Sequence, residues 1–205
     1  MKKTAFLFIV LLTILSAHGQ GFIYDQQSPH GFVTFAESGA FLTNQPIGQS
    51  FTPTLSSIDF VFLQIDDYNW NNGTGAVVFV KLFSGSLTNG TLLGATTPLS
   101  LPDGWGATVG GYGETNFFFP TSIALTPGTQ YFLRPILQSG DEGFFVGSDY
   151  LGYNGGEGYI NGPPGSEGQD LWFREGIIAV PEPSSVWLAW FGGAAWLFVR
   201  CRRCQ

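Results

Sequence analysis

Between Gln20 and Val180 the chain has no cysteine, a single histidine and only three basic side chains. Each scarcity removes a class of protein. Without cysteine the region has no disulfide to staple it and no thiolate for a zinc site or a nucleophile. With His30 alone, in the turn-like Ser28-Pro29-His30-Gly31, it lacks the base that a Ser/His or Cys/His pair needs. No His-Glu-x-x-His, Gly-x-Ser-x-Gly or phosphate-cradling loop occurs. Fourteen Asp and Glu against Lys81, Arg134 and Arg174 leave the region at −11. Such a surface repels phosphate backbones, which excludes nucleic acid as a partner. The reading is therefore a non-enzymatic domain with no cofactor and no metal site. Glycosidase chemistry, which needs only two carboxylates, is the remaining enzymatic alternative, and no pair among the 14 acids stands out.

Helical periodicity is also missing from residues 20–179. Short aromatic and β-branched runs recur instead, cut by Gly, Asn and Pro. The clearest are Ile58–Ile65, Ala76–Phe83, Thr129–Leu137 and Asp170–Ile178, with weaker ones at Phe32–Phe35, Gln49–Thr52, Asn116–Phe119 and Gly143–Val146. Asn72-Gly73 and Asn89-Gly90 flank the second run, and Asn-Gly favours the positive φ of tight hairpins. About eight strands with turns between them predict an all-β β-sandwich or jelly roll, with a closed barrel as a variant of the same class. The span holds 16 Phe, 7 Tyr and 3 Trp, ample material for a core without staples. Pro135 cannot donate to a ladder, so its strand is expected at an edge or bulged. Residues 138–169, rich in Gly, Tyr and acids, read as a long loop region with one short strand.

Two candidate sites emerge from this domain. Asp67, Asn69 and Asn71 match the first alternating ligand positions of an EF-hand, but Asn72 replaces the required Gly and Val78 the bidentate Glu. The stretch is read as a hairpin turn, with a looser calcium site of the lectin-like kind left open. Trp70, Trp105, Tyr112 and Trp172 could offer stacking surfaces for sugar rings, since indoles and phenols near polar loops orient saccharides. An exposed row of these would favour saccharide binding; two carboxylates facing across a cleft would favour catalysis.

The ends are different in kind. Lys2 and Lys3, the apolar run Ala5–Leu15 and the Ala17-x-Gly19 exit form a signal-peptide pattern, predicting residues 1–19 as a signal peptide and Gln20 as the mature N-terminus. At the other end, residues 180–205 hold Pro181-Glu182-Pro183, the unbroken apolar run Val186–Val199, and Arg200, Arg202 and Arg203. Ser184-Ser185 can cap a helix over about residues 184–199, and 16 or so residues reach roughly 24 Å. That is short of a ~30 Å hydrocarbon core, a gap that snorkelling arginines and local thinning close. Trp187 and Trp196 lie towards the two interfaces, and the arginines hold the C-terminus inside. Cys201 and Cys204 then read as juxtamembrane thiols on the reducing side.

This tripartite tail resembles the PEP-CTERM sorting signal of Gram-negative bacteria. The resemblance implies Pro181, Glu182 and Pro183 as the recognition motif, a single transmembrane helix, and Arg200, Arg202 and Arg203 as the membrane stop. It further implies export through the Sec translocon and signal peptidase, brief anchoring in the membrane, and processing by the membrane enzyme exosortase. Proteins of this kind accompany exopolysaccharide and biofilm production, which makes a carbohydrate-binding module the runner-up reading. More loosely, Tyr153-x-Gly155-Gly156 followed by Asp170-Leu171-Trp172-Phe173 resembles the closing segment of exported bacterial β-sandwiches. The expected organisation is a signal peptide, an ectodomain over residues 20–179 and a sorting segment over 180–205. Whether the mature protein stays anchored or is released is left open.

Overall fold

The computed structural model describes residues 21–29, 39–106, 113–149, 152–161 and 169–179. The signal-peptide and sorting segments, the Phe32–Phe35 run, His30 and Tyr112 lie outside the described residues. The chain divides into two compact units, one of residues 23–177 and one of residues 1–22 with 178–205; of the second only Gly21, Phe22, Ile178 and Ala179 are described.

The described residues form strands and turns, and no helix among them is long and apolar enough to cross a membrane. In chain order the strands are β1 (Gly21–Gln27), β2 (Gly39–Ala40), β3 (Gly48–Phe51), β4 (Ser57–Asp67), β5 (Ala76–Ser84), β6 (Thr91–Ala95) and β7 (Leu99–Leu101). They continue with β8 (Glu114–Ala124), β9 (Tyr131–Gly140), β10 (Phe144–Val146), β11 (Ser148–Asp149), β12 (Gly158–Tyr159), β13 (Asp170–Leu171) and β14 (Phe173–Ala179). The first sheet runs β1-β14-β4-β10-β2, with β8 on the opposite side of β4. The second runs β12-β3-β9-β5-β6, with β7 also on β5, and β11 pairs with β13 separately. The recorded pairings are antiparallel.

Alternation explains how the two sheets meet. On β5, Ala76, Val78, Val80 and Leu82 are buried while Val77, Phe79 and Lys81 are half-buried, the period-2 signature of a strand with one face on a core. These residues join Phe51, Leu101, Tyr131 and Leu133 of the same sheet and Val61, Leu63, Ile65, Phe117, Phe144 and Phe173 of the other in one apolar cluster. The arrangement is all-β and sandwich-like. Each fully buried Phe of this cluster is worth about 3–5 kcal/mol against truncation to Ala.

Strand β4 departs from simple alternation because its outer face is covered too. Phe60 is fully buried, with Tyr24 edge-on at 5.7 Å and Phe118 at 6.5 Å. Gly176 lies opposite Phe60 on β14, and a Cβ there would come within 1.9 Å of the Ile23 carbonyl oxygen. A missing side chain at that position lets the β1 backbone close in and Tyr24 reach across to Phe60.

Three sequence expectations change in detail. Asn71 and Gly73, rather than Asn72, take positive φ in the β4–β5 loop. Gly90 is not in the positive-φ region; a Cβ there would meet the Ser86 and Ser84 carbonyl oxygens at 2.2 and 2.3 Å, so close approach and not turn type demands glycine. The strand with Pro135 is central, between β3 and β5, and it is bulged, one of the two alternatives expected, though at Gln138, between the partners of Val77 and Val78, and not at the proline. Pairing with β3 stops at Leu133, however, so Pro135 lies where β9 has run past that neighbour and no donor is needed on that side.

Candidate functional site

Of the four expected aromatics, Trp70, Trp105 and Trp172 lie among the described residues, and these three do not form an exposed row. Trp70 is 62% exposed in the β4–β5 loop, and Trp105 is half-buried against the core with its indole N–H donated to the Gly113 carbonyl at 3.2 Å. Trp172 is buried, packed against Phe62 with ring centres 5.2 Å apart and planes tilted by 51°, on the outer face of the first sheet. The Arg174 guanidinium lies 5.1 Å from its ring, 5.2 Å from Phe62 and 5.4 Å from Tyr24, so this cation is spent on three aromatic faces.

The loops beside Trp70 and Trp105 gather Asp66, Asp67, Asp103 and Asp141. Their carboxylates are taken up by the protein's own N–H groups. Asp67 accepts from the Asn69 and Gly104 amides at 2.9 Å each, and Asp103 from Asn71 and Gly73 at 2.9 Å each. Asp141 accepts from the Gly143 amide at 2.9 Å and from the Asn69 and Asn72 side chains. The Gly143 bond outweighs desolvation and holds its pKa below the usual value. Asp66 accepts from the Gly113 amide at 2.9 Å and from Gln64, yet burial dominates and raises its pKa. Loops tied by Asx-type bonds are what this cluster accomplishes. Among the described residues no group of three His, Cys, Asp or Glu is placed to hold a metal ion.

A second acidic group lies inside the domain. Asp170 of β13 accepts from the Gln49 amide at 3.0 Å and the Tyr153 N–H at 2.9 Å, while Gln49 Oε1 accepts from the Leu171 N–H at 2.7 Å. This network ties β3, β13 and the Tyr153 segment into one buried unit. Tyr153 completes it, donating to Gln26 at 2.9 Å and standing edge-on to Phe173 at 5.1 Å. Glu175 of β14 is fully buried and neither carboxylate oxygen makes a hydrogen bond of normal geometry. The Gln26 N–H and the Asp25 carboxyl are still close enough to act on it in opposite directions, the amide lowering and the acid raising its pKa. Burial, with the charge of Asp25 added, pushes Glu175 up to about 8. Asp25 itself feels burial as its largest influence, but bonds from Leu55 and Thr54 together bring its pKa below normal. Two carboxylates thus face one another, one charged and one neutral at pH 7, with Glu175 wholly out of solvent.

The third region is the outer face of the second sheet. Leu87, Phe83 and Phe132 form a small buried cluster with Tyr159 against it, and Phe132 and Tyr159 meet edge-on at 6.0 Å. Beside them opens a pocket of about 470 Å³ lined by Pro46, Ser86, Leu87, Thr88, Phe132 and Tyr159 among others. Since Leu133 points into the core, Phe132 and Arg134 share the outer face. Arg134 stands opposite Lys81 in the β5–β9 register, so two of the domain's three cations are cross-strand neighbours. The Lys81 ammonium lies 5.7 Å from the Phe79 ring centre; Arg134 donates through Nη2 to Gln45 at 3.2 Å, and its buried Nε has no acceptor.

No family model matches the chain, and no curated protein matches it. Sequence reasoning missed Lys81, Arg134, Phe132 and Tyr159 as a group. The available signal was polar interruption: each cation breaks an otherwise apolar strand run, in AVVFVKLF and TQYFLRPIL.

Proposed function

We propose that this is an exported, non-enzymatic surface or extracellular-matrix protein: a β-sandwich ectodomain between a signal peptide and a C-terminal transmembrane helix that exosortase processes. The observation that carries the reading is the order of the tail, Pro181-Glu182-Pro183, then Val186–Val199, then Arg200, Arg202 and Arg203. Proline cannot continue a helix and biases the preceding residue to extended backbone, so Glu182 is presented just outside the membrane where a membrane enzyme can reach it. The arginines stop the chain from sliding through. Basic residues at Lys2, Lys3 and beyond Val199 put both ends on the cytoplasmic side and the acidic domain across the inner membrane.

The test is Glu182→Ala in the native host. Folding and Sec export should continue, because the residue lies outside both the β-domain and the apolar run, while the tail stays uncut and the protein stays in the membrane. Intact mass distinguishes the outcomes; a variant shortened like the parent makes the tail a plain anchor and removes this reading. A second reading, a carbohydrate-binding module for extracellular polysaccharide, draws support from the aromatic-lined pocket at Phe132 and Tyr159 rather than from the four aromatics first considered.

A further inference from the structure

We propose that the outer face of the second sheet binds an acidic saccharide, with the sugar ring in the pocket at Tyr159 and its carboxylate on Arg134 and Lys81. The inference deepens the second reading by naming a site and ligand class, and it does not depend on how the tail is processed. Three observations carry it. First, charge is distributed against expectation: a domain of 14 acids sets two of its three cations directly opposite each other on one face. Like charges opposed across a strand pair are destabilising. An anion bridging them removes the repulsion. Second, the Arg134 side chain is half-buried, with Nη2 held by the Gln45 amide oxygen at 3.2 Å, whereas Arg174 on the other sheet is enclosed by three rings. A guanidinium positioned in this way from one side is a donor that carboxylates accept from.

Third, the pocket adjoins this pair. Phe132 and Arg134 lie two residues apart on the same face, roughly 7 Å along the strand. Gln45, which holds the Arg134 head at 3.2 Å, directly precedes Pro46 in the pocket wall. At about 470 Å³ the pocket has the volume of a site for one or two sugar rings. Half-buried Tyr159 offers ring surface over a floor of buried Phe132 and Leu87, and the Ser86 and Thr88 hydroxyls supply the polar groups that sugar hydroxyls require. Phosphate polymers suit the site poorly, because two cations within a net charge of −11 cannot support a polyanion that needs many contacts.

The experiment is calorimetric titration of the full chain, purified in a non-glycosidic detergent, with tri-galacturonic acid. Neutral maltotriose and tri-glutamate serve as comparison probes. Tri-galacturonate should bind and maltotriose should bind at least 10-fold more weakly. Lys81→Glu, which reverses one charge, and Thr88→Trp, which fills the pocket from an exposed position, should each weaken tri-galacturonate binding at least 10-fold. Lys81→Arg should retain it, and unchanged melting temperatures separate these effects from misfolding. Absence of tri-galacturonate binding, equal binding of maltotriose, or binding indifferent to both variants each overturns the proposal. Tri-glutamate binding as tightly, and lost in the same variants, would replace saccharide recognition with general capture of acidic chains and overturn it as well.

Discussion

Asp170 and Glu175 sit close together on the closing segment of the domain, 2% and 0% exposed, yet the protein treats them in opposite ways. Asp170 is held between the Gln49 amide and the Tyr153 N–H, and burial and these donors pull its pKa up and down respectively, burial prevailing. Glu175 has no such donors in bonding geometry and faces another acid, Asp25. The difference teaches how a buried carboxyl survives in an apolar sandwich. Asp170 is supported by hydrogen bonds that knit three segments; Glu175 persists by keeping its proton.

The largest effect that would test this contrast is the pH dependence of Glu175. Its folded pKa of about 8 exceeds an unfolded value of 4.5, so between those values the folded state binds a proton that the unfolded state has released. Stability is therefore fully present below pH 4.5 and falls as pH rises through about 8, at up to about 1.4 kcal/mol per unit. Thermal melts of the wild type should drop by several degrees from pH 5 to pH 8. Glu175→Gln should abolish most of that drop. Parallel curves for wild type and variant would show that Glu175 is not the neutral partner.

Next in size is Asp170→Ala, which removes the acceptor for Gln49 and Tyr153 and strands two donors inside the domain. A loss of about 3 kcal/mol is expected at pH 7, read by urea denaturation. A loss below about 1 kcal/mol would mean that water replaces the carboxylate and that the network does not tie the segments together. Smallest is Asp25→Asn. It retains the shape beside Thr54 and Leu55 while removing the charge that helps to raise Glu175. It should cost about 1 kcal/mol at pH 5 through one weakened acceptor and move the midpoint of the Glu175-linked decline below 8. A midpoint that stays put assigns the raised pKa to burial alone.

The two outer faces repeat the same lesson with cations. Arg174, opposite Phe62 in the β4–β14 register, lies among Tyr24, Phe62 and Trp172. Lys81 and Arg134 are set opposite each other, Lys81 beside the Phe79 ring and Arg134 donating to the Gln45 amide oxygen. The second arrangement is the one to which we assign the saccharide carboxylate.

Much of the strand pattern was legible beforehand. Runs such as Ala76–Phe83 alternate with period 2, a property of neighbouring residues, and β5 occupies Ala76–Ser84. Strands β1, β6 and β7 escaped notice because Gly21–Gln27, Thr91–Ala95 and Leu99–Leu101 mix polar and apolar residues at edges where one face is open to water. The acidic balance, the absence of cysteine between Gln20 and Val180 and the apolar and basic runs at both ends are likewise facts of composition and order, determined by the sequence alone. Which strands become neighbours is not a local property. Glu175 meets Val61 only in the β4–β14 register, the Lys81–Arg134 pair requires the β5–β9 register, and Trp172 packs against Phe62 and Arg174. Alternation tells a side chain which face to take. The pairing between distant segments, chosen by the core as a whole, decides what it meets there.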